Sequence, residues 1–209
     1  MPMYGKVIVY GNSKPKVTAL AKRLDCHAYH ADAVGRTSML ADFMAGKQRV
    51  VVATSALGMG VDIPDVRCII HIDWPFSVLD YAQESGRAGR DGLVSEAILI
   101  AQDGDQWATD DKQTEAEQQL IRRYVDGEDG AARCRRVVLD RYLDGKGDRI
   151  GCNKDKEEMC DVCRGMEKQF KDVMEEESEE SRARGNGEDE MDVVEAEQEE
   201  ARQTFRQQE

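Results

Sequence analysis

Two kinds of apolar pattern alternate along the first hundred positions. GKVIVY (5–10), RVVVAT (49–54), RCIIHI (67–72) and SEAILIA (95–101) are short runs rich in β-branched residues, and most are apolar throughout rather than alternating. Such runs suit strands buried on both faces. CHAYH (26–30) has the length of one further short strand. Between these runs the apolar spacing changes to three and four. Val17, Leu20, Ala21 and Leu24 predict a helix over about 14–24, opened by Ser13 and Pro15. Met39, Leu40, Phe43 and Met44 predict a second over about 36–45, ended by Gly46, and a third is expected over about 77–86. Strands that alternate with helices predict an α/β fold with a parallel sheet covered on both faces. Ligands of such sheets bind at the carboxyl ends of the strands, here the loops 54–62 and 71–77.

From about 114 to 143 the pattern is helical, broken at GEDGA (127–131). Leu120, Ile121, Tyr124 and Val125 form one apolar stripe; Val137, Val138, Arg141 and Tyr142 belong to another. Residues 145–165 read as a loop with three cysteines and almost no large apolar side chains. The remainder, 166–209, reads as a largely disordered acidic tail with transient helix at 166–178. The expected domains are therefore 1–103, 104–165 and 166–209.

Charge sharpens this division. The 209 residues carry a formal net charge of −13, with 34% charged and 6% aromatic. The segment 171–209 alone holds 15 acidic and 5 basic residues, leaving 27 and 24 in residues 1–170. A near-neutral body can present a basic face, so the overall acidity does not exclude a nucleic-acid partner. No apolar run is long enough to span a bilayer and the first residues do not form a secretory leader, so no membrane partner is expected. Without secretion, the six cysteines point to metal binding or burial rather than to a disulfide framework.

Three clusters carry chemistry. In QESGRAGRDG (83–92), Arg87 and Arg90 lie three apart on a helix face or helix end, among Gly86, Ala88 and Gly89. Two guanidinium forks beside a permissive backbone suit phosphate oxygens; surface salt bridges are the plainer alternative. In ATSALGMGVDIPDV (53–66), a buried strand runs into Thr54 and Ser55, then Gly58, Gly60 and Asp62. Hydroxyls and free amides at a strand end can hold phosphates, and a carboxylate can accept from a ribose hydroxyl; a turn with a structural aspartate is the other reading. Finally, Cys134, Cys152, Cys160 and Cys163 include a C-x2-C knuckle, and four thiolates complete a tetrahedral zinc site. Buried free thiols are the alternative, weakened by the lack of apolar partners in 145–165. Cys26 and Cys68 are assigned to the core.

In order along the chain, IVYGNS (8–13), AYHA (28–31), VVVATSALGMGVDIPDVRCIIHID (50–73), YAQESGRAGRDG (81–92) and the cysteine set 134–163 resemble the RecQ group of superfamily 2 DNA helicases, in wording most like its fungal branch. The resemblance covers about residues 5–165. It implies that 1–103 form the second RecA-like motor lobe, and 104–165 a helical hairpin and zinc-binding subdomain. ATP with Mg2+ would be shared with a first RecA-like lobe, in cis or in trans. Arg90 would be the arginine finger, Arg87 its phosphate-binding companion and Gln83 a member of the same motif. Asp62, near Gly60, would face the nucleotide ribose or link nucleotide state to the DNA loop. Thr54 and Ser55 would hold the backbone of single-stranded or forked DNA, with Asn12, Ser13 and His30 in weaker DNA-facing or structural motifs. The group's nuclear members place the chain in the nucleus.

Two departures qualify the resemblance. AYHADAVG replaces the more usual YHAGL pattern, and neither GxxxxGK[ST] nor a DExH box occurs in these residues. Phosphoryl transfer needs a phosphate-binding lysine, a magnesium ligand and a positioned water besides the finger. The expectation is the C-terminal motor half of an ATP-dependent 3′–5′ DNA helicase, as a fragment, a truncated gene model or a degenerate copy, not catalytically competent alone. The rivals are a non-catalytic zinc-containing module that holds DNA or docks a first lobe, and an RNA helicase lobe, against which the cysteine set argues.

Overall fold

The computed structural model describes residues 5–58, 62–100, 115–127 and 133–175. Five strands form one sheet: β1 (Lys6–Tyr10), β2 (His27–Tyr29), β3 (Val50–Ala53), β4 (Val66–His71) and β5 (Glu96–Leu99), in spatial order β2-β3-β1-β4-β5. Every pairing is parallel, with Ile8 opposite both Val51 and Ile69. The apolar runs therefore mark the strands, because the central ones are covered on both sides. Ile8, Tyr10, Val51, Ala53 and Ile69 face one layer with Phe43, whereas Val9 and Val52 face the other with Val17 and Ala21. That split is the period-two alternation of a pleated strand, hidden in the sequence because both faces are apolar.

The helices follow their local signals. In α1 (Lys14–Arg23), Ser13 caps the amino end by accepting from the Lys16 amide at 3.4 Å, and Lys22 and Arg23 occupy the last turn. α2 (Arg36–Met44) buries Phe43 and ends before Gly46, whose φ of +74° only glycine adopts readily. α3 (Val78–Ser85) is capped by Ser77, which accepts from the Asp80 amide at 3.0 Å. The loop expected after β3 in fact opens with a 3-10 turn, Ser55–Gly58.

The chain divides into two compact units, Met1–Arg149 and Ile150–Glu209. In the first, α4 (Glu115–Asp126) and α5 (Arg135–Leu143) make the expected helical pair. Tyr124 and Val138 join Tyr81 of α3 in a third apolar cluster, with Leu120 and Leu139 packed against it. The anticipated second stripe is only partly right: Val138 is buried, but Tyr142 is exposed and Leu139 takes the inward place. In the second unit, a helix α6 covers 161–175. It begins before the expected tail does, and its 166–175 portion is helical; 176–209 lie outside the described residues. Cys68 is buried in β4, while Cys26 is half-buried beside the α1 layer. Burial raises both thiol pKa values, which suits inert packing.

Candidate functional site

The carboxyl ends of β1, β3 and β4 converge on a cleft lined by Tyr10, Asn12, Thr54, Ser55, Phe76 and Glu84, among others. The fold thus brings together Asn12, Thr54 and Ser55, three residues singled out from the sequence. Asn12 is held firmly: its side-chain amide donates to the Trp74 carbonyl and its backbone amide to Asp73 at 3.2 Å. Thr54 closes its own turn by accepting from the Ala56 amide at 3.4 Å, and Ser55 is exposed at the start of the 3-10 turn. Ser13 is committed to capping α1. His30 lies 3.5 Å from the Thr18 hydroxyl of α1 and is not among the residues that line the cleft. The charged side chains of the lining are carboxylates, Asp80 and Glu84, each engaged by a neighbour: Ser77 at 2.7 Å and His71 at 2.8 Å.

A second feature adjoins the first. α3 ends at Ser85, and residues 86–92 form successive turns, so Arg87 and Arg90 lie beyond the helix end rather than on its face. Arg87 donates to the Gly58 carbonyl, and Arg90 pairs with the Asp62 carboxylate at 2.8 Å. Both arginines border a small apolar recess made by Ile8, Leu57, Ile63 and Val66. The Asp62 side chain is 79% exposed and that of Arg90 38%. Such a surface pair contributes at most about 1 kcal/mol, so an anion can displace the carboxylate at small cost. Gln83 is exposed on α3, and Gly60 lies outside the described residues.

Between cleft and turn runs a buried polar and aromatic column that sequence reasoning missed. Tyr10 stacks on His71 with centroids 5.3 Å apart, His71 contacts Tyr81 at 4.9 Å, and Tyr81 contacts Tyr124 at 4.9 Å. Burial pushes the Tyr10 hydroxyl well above its ordinary pKa; Glu84 adds to this, and Arg87 and Arg90 oppose it. The only local signals were a histidine closing a strand and a glutamate three residues before Arg87, both also typical of ordinary surface positions.

The cysteines complete the picture. Cys134 is buried at the amino end of α5 in the first unit. In the second, Cys152, Cys160 and Cys163 gather their sulfurs within 4.8 Å of one another. The Cys160 amide points to the Cys152 sulfur at 3.3 Å and the Cys163 amide to the Cys160 sulfur at 3.5 Å. Amides directed at sulfur stabilise thiolates, the form that binds metal. These three thiols can offer sulfur ligands to a metal ion. Thiolate ligands suit zinc.

Residues 3–92 match the helicase conserved C-terminal domain. The chain is similar to the ATP-dependent DNA helicase RecQ of Haemophilus influenzae, 35% identical over 177 residues that cover 78% of this chain and 28% of the relative. It is also similar to the ATP-dependent DNA helicase Q1 of Mus musculus, 36% identical over 154 residues, 71% of this chain and 23% of the relative. Among solved structures it is similar to the Escherichia coli DEAD-box protein SrmB, crystallised with regulator of ribonuclease activity A. The identity is 28%, the TM-score 0.45, and the match covers 48% of this chain and 64% of that one. The chain spans about a quarter of the length of the curated relatives it matches.

Proposed function

We propose that this chain, whose residues 3–92 match the helicase conserved C-terminal domain, is a RecQ-like second motor lobe of an ATP-dependent 3′–5′ DNA helicase. The observation that carries the reading is the pair Arg87 and Arg90 on one turn, bonded to Gly58 and Asp62. Nucleotide bound by a first lobe would present its phosphates to this turn. Arg90 would then exchange the Asp62 carboxylate for phosphate oxygens, with Arg87 as the second fork. The released Asp62 would be free to meet the ribose. An arginine finger is worth about 10³–10⁵ in rate, but only over a site that already holds the phosphates. The first lobe would supply the lysine and magnesium that neutralise them.

Single-stranded or forked DNA would cross the cleft of Asn12, Thr54 and Ser55 through its backbone. Because Asp80 and Glu84 also line that cleft, phosphate contacts there would be few and would rest on hydroxyls and amides. Zinc would be held by Cys134, Cys152, Cys160 and Cys163 in a structural role. Repair and recombination in a nucleus would be the setting, as for the eukaryotic members of the group.

The 209 residues alone are expected to give no DNA-stimulated ATP hydrolysis above background. Joined to a matching first RecA-like lobe, they are expected to gain it. Robust hydrolysis by the chain alone would contradict this reading. The second reading, a non-catalytic zinc-containing module that holds DNA or docks a first lobe, is supported by the gathered thiols of Cys152, Cys160 and Cys163. It predicts DNA binding with no gain of hydrolysis when the lobes are joined.

A further inference from the structure

Arg90 is held at its tip by an exposed carboxylate, yet the turn that carries it is anchored from beneath. The Arg67 side chain, on β4, is 9% exposed and forms an ion pair with Asp91, the residue after Arg90. The same guanidinium donates to the carbonyls of Leu93 and Pro64, both at 3.3 Å. Asp91 in turn accepts from the Leu93 amide at 3.1 Å, and the Gly89 amide bonds the Val66 carbonyl at 3.0 Å. Burial works against ionisation of Asp91, but the Leu93 amide and Arg67 outweigh it and hold its pKa below the usual carboxylate range. Two glycines leave no slack. Gly89 has φ +67°, and a Cβ there would lie 2.5 Å from the Ser95 hydroxyl. A Cβ on Gly5 would lie 1.8 Å from Cγ of Arg67, so the Arg67 stem runs directly across the Gly5 backbone.

We propose that Arg67 and Asp91 are positioning residues for Arg90: their ion pair fixes the 89–92 turn to the amino end of β4, so that the guanidinium of Arg90 is presented to phosphate from a rigid base. The inference rests on the reading of Arg90 as the phosphate-facing finger. The division of labour is physical. A tip held by Asp62 at the surface exchanges partners easily, whereas a buried, multiply bonded arginine beneath it does not. A misplacement of about 1 Å in a group that must meet a transition state can cost about 10²-fold in rate.

The test uses the full chain, by itself for amide exchange and joined to a first RecA-like lobe for ATP hydrolysis. Asp91→Asn is expected to speed exchange at Gly89 and Leu93 at least about tenfold and leave β1 and α1 unchanged. It is expected to lower kcat by about 10–100-fold with the KM for ATP within about twofold. Asp91→Glu keeps the charge but shifts the carboxylate by one methylene, and Gly5→Ala displaces the Arg67 stem while leaving both charges. Both are expected to lower kcat in the same way, even if Asp91→Asn fails to fold. A wild-type kcat in Asp91→Glu and Gly5→Ala, with Arg90→Ala inactive, would overturn the positioning role alone. A wild-type kcat in Arg90→Ala would overturn the reading on which it rests, while the exchange data would still show whether the turn is clamped.

Discussion

The Tyr124 hydroxyl of α4 donates to that of Tyr81 on α3 at 2.9 Å, with the two rings tilted at 50° and their centroids 4.9 Å apart. Forty-three residues separate the pair, which joins the helical pair α4–α5 to the helix that leads into the Arg87–Arg90 turn. Arg135 strengthens the joint from the other side: it bonds the carbonyls of Tyr124 and Val125 and lies 5.7 Å from the Tyr124 ring centre.

Tyr124→Phe removes one buried hydrogen bond and little volume, so a loss of about 1 kcal/mol is expected. Tyr124→Ala also opens a cavity, and about 3–5 kcal/mol is expected. Urea unfolding followed by amide exchange of α4 and α5 checks both. Equal stabilities for the two variants would show that the ring packing contributes nothing.

The Tyr10 hydroxyl gives a prediction in pH. Its pKa is raised in the folded chain, so above about pH 10 the unfolded tyrosine loses its proton while the folded one keeps it. The native state then binds more protons, and stability falls as pH rises, by up to about 1.4 kcal/mol per pH unit for this one group. The contribution is fully present below the unfolded pKa and is lost on the way up to the folded one. Unfolding free energies measured across pH 9–11 should fall less steeply in Tyr10→Phe than in the parent chain. Identical slopes would mean that Tyr10 ionises freely.

One zinc per chain is expected by elemental analysis. Cys160→Ser or Cys163→Ser should release it and make residues 145–165 sensitive to protease, while the sheet stays folded. The segment has few apolar side chains to order it, and structural zinc supplies on the order of 10 kcal/mol in small modules. Cys68→Ser and Cys26→Ser should leave the zinc content unchanged. Loss of metal on changing Cys68 alone would mean a different ligand set.

DNA binding should be sequence-independent and should weaken steeply with salt, as contacts to phosphates do. Deleting 171–209 removes a net charge of −10 and should tighten binding at low salt. Unchanged or weaker binding after the deletion, measured by anisotropy of a labelled single strand, would show that the acidic segment does not compete with DNA.

The elements that could be read from the sequence are those set by nearby residues. Apolar runs marked β1, β3 and β4, because both faces of a central parallel strand are buried. Ser13 marked a helix start, because its cap bonds within three residues of itself. The cysteines and Arg87–Arg90 stood out by spacing. What escaped is long-range. Arg67 and Asp91 are 24 residues apart, His71 and Glu84 are 13, and nothing in either neighbourhood says that the partners meet. Tyr142 was misplaced for a related reason: a helical stripe says which residues share a face, but the partner decides which edge of it is covered. The helix 161–175 began earlier than expected because cysteines and charges hide its start; no apolar spacing announces it.

The central claim is that Arg90 acts as the finger of a two-lobe ATPase. The most direct measurement is DNA-stimulated ATP turnover by the chain joined to a first RecA-like lobe, compared with the same assembly carrying Arg90→Ala. A fall of about 10³-fold or more is predicted, as for removal of a finger from an otherwise complete phosphoryl-transfer site. Turnover within about threefold of the parent assembly would contradict the account.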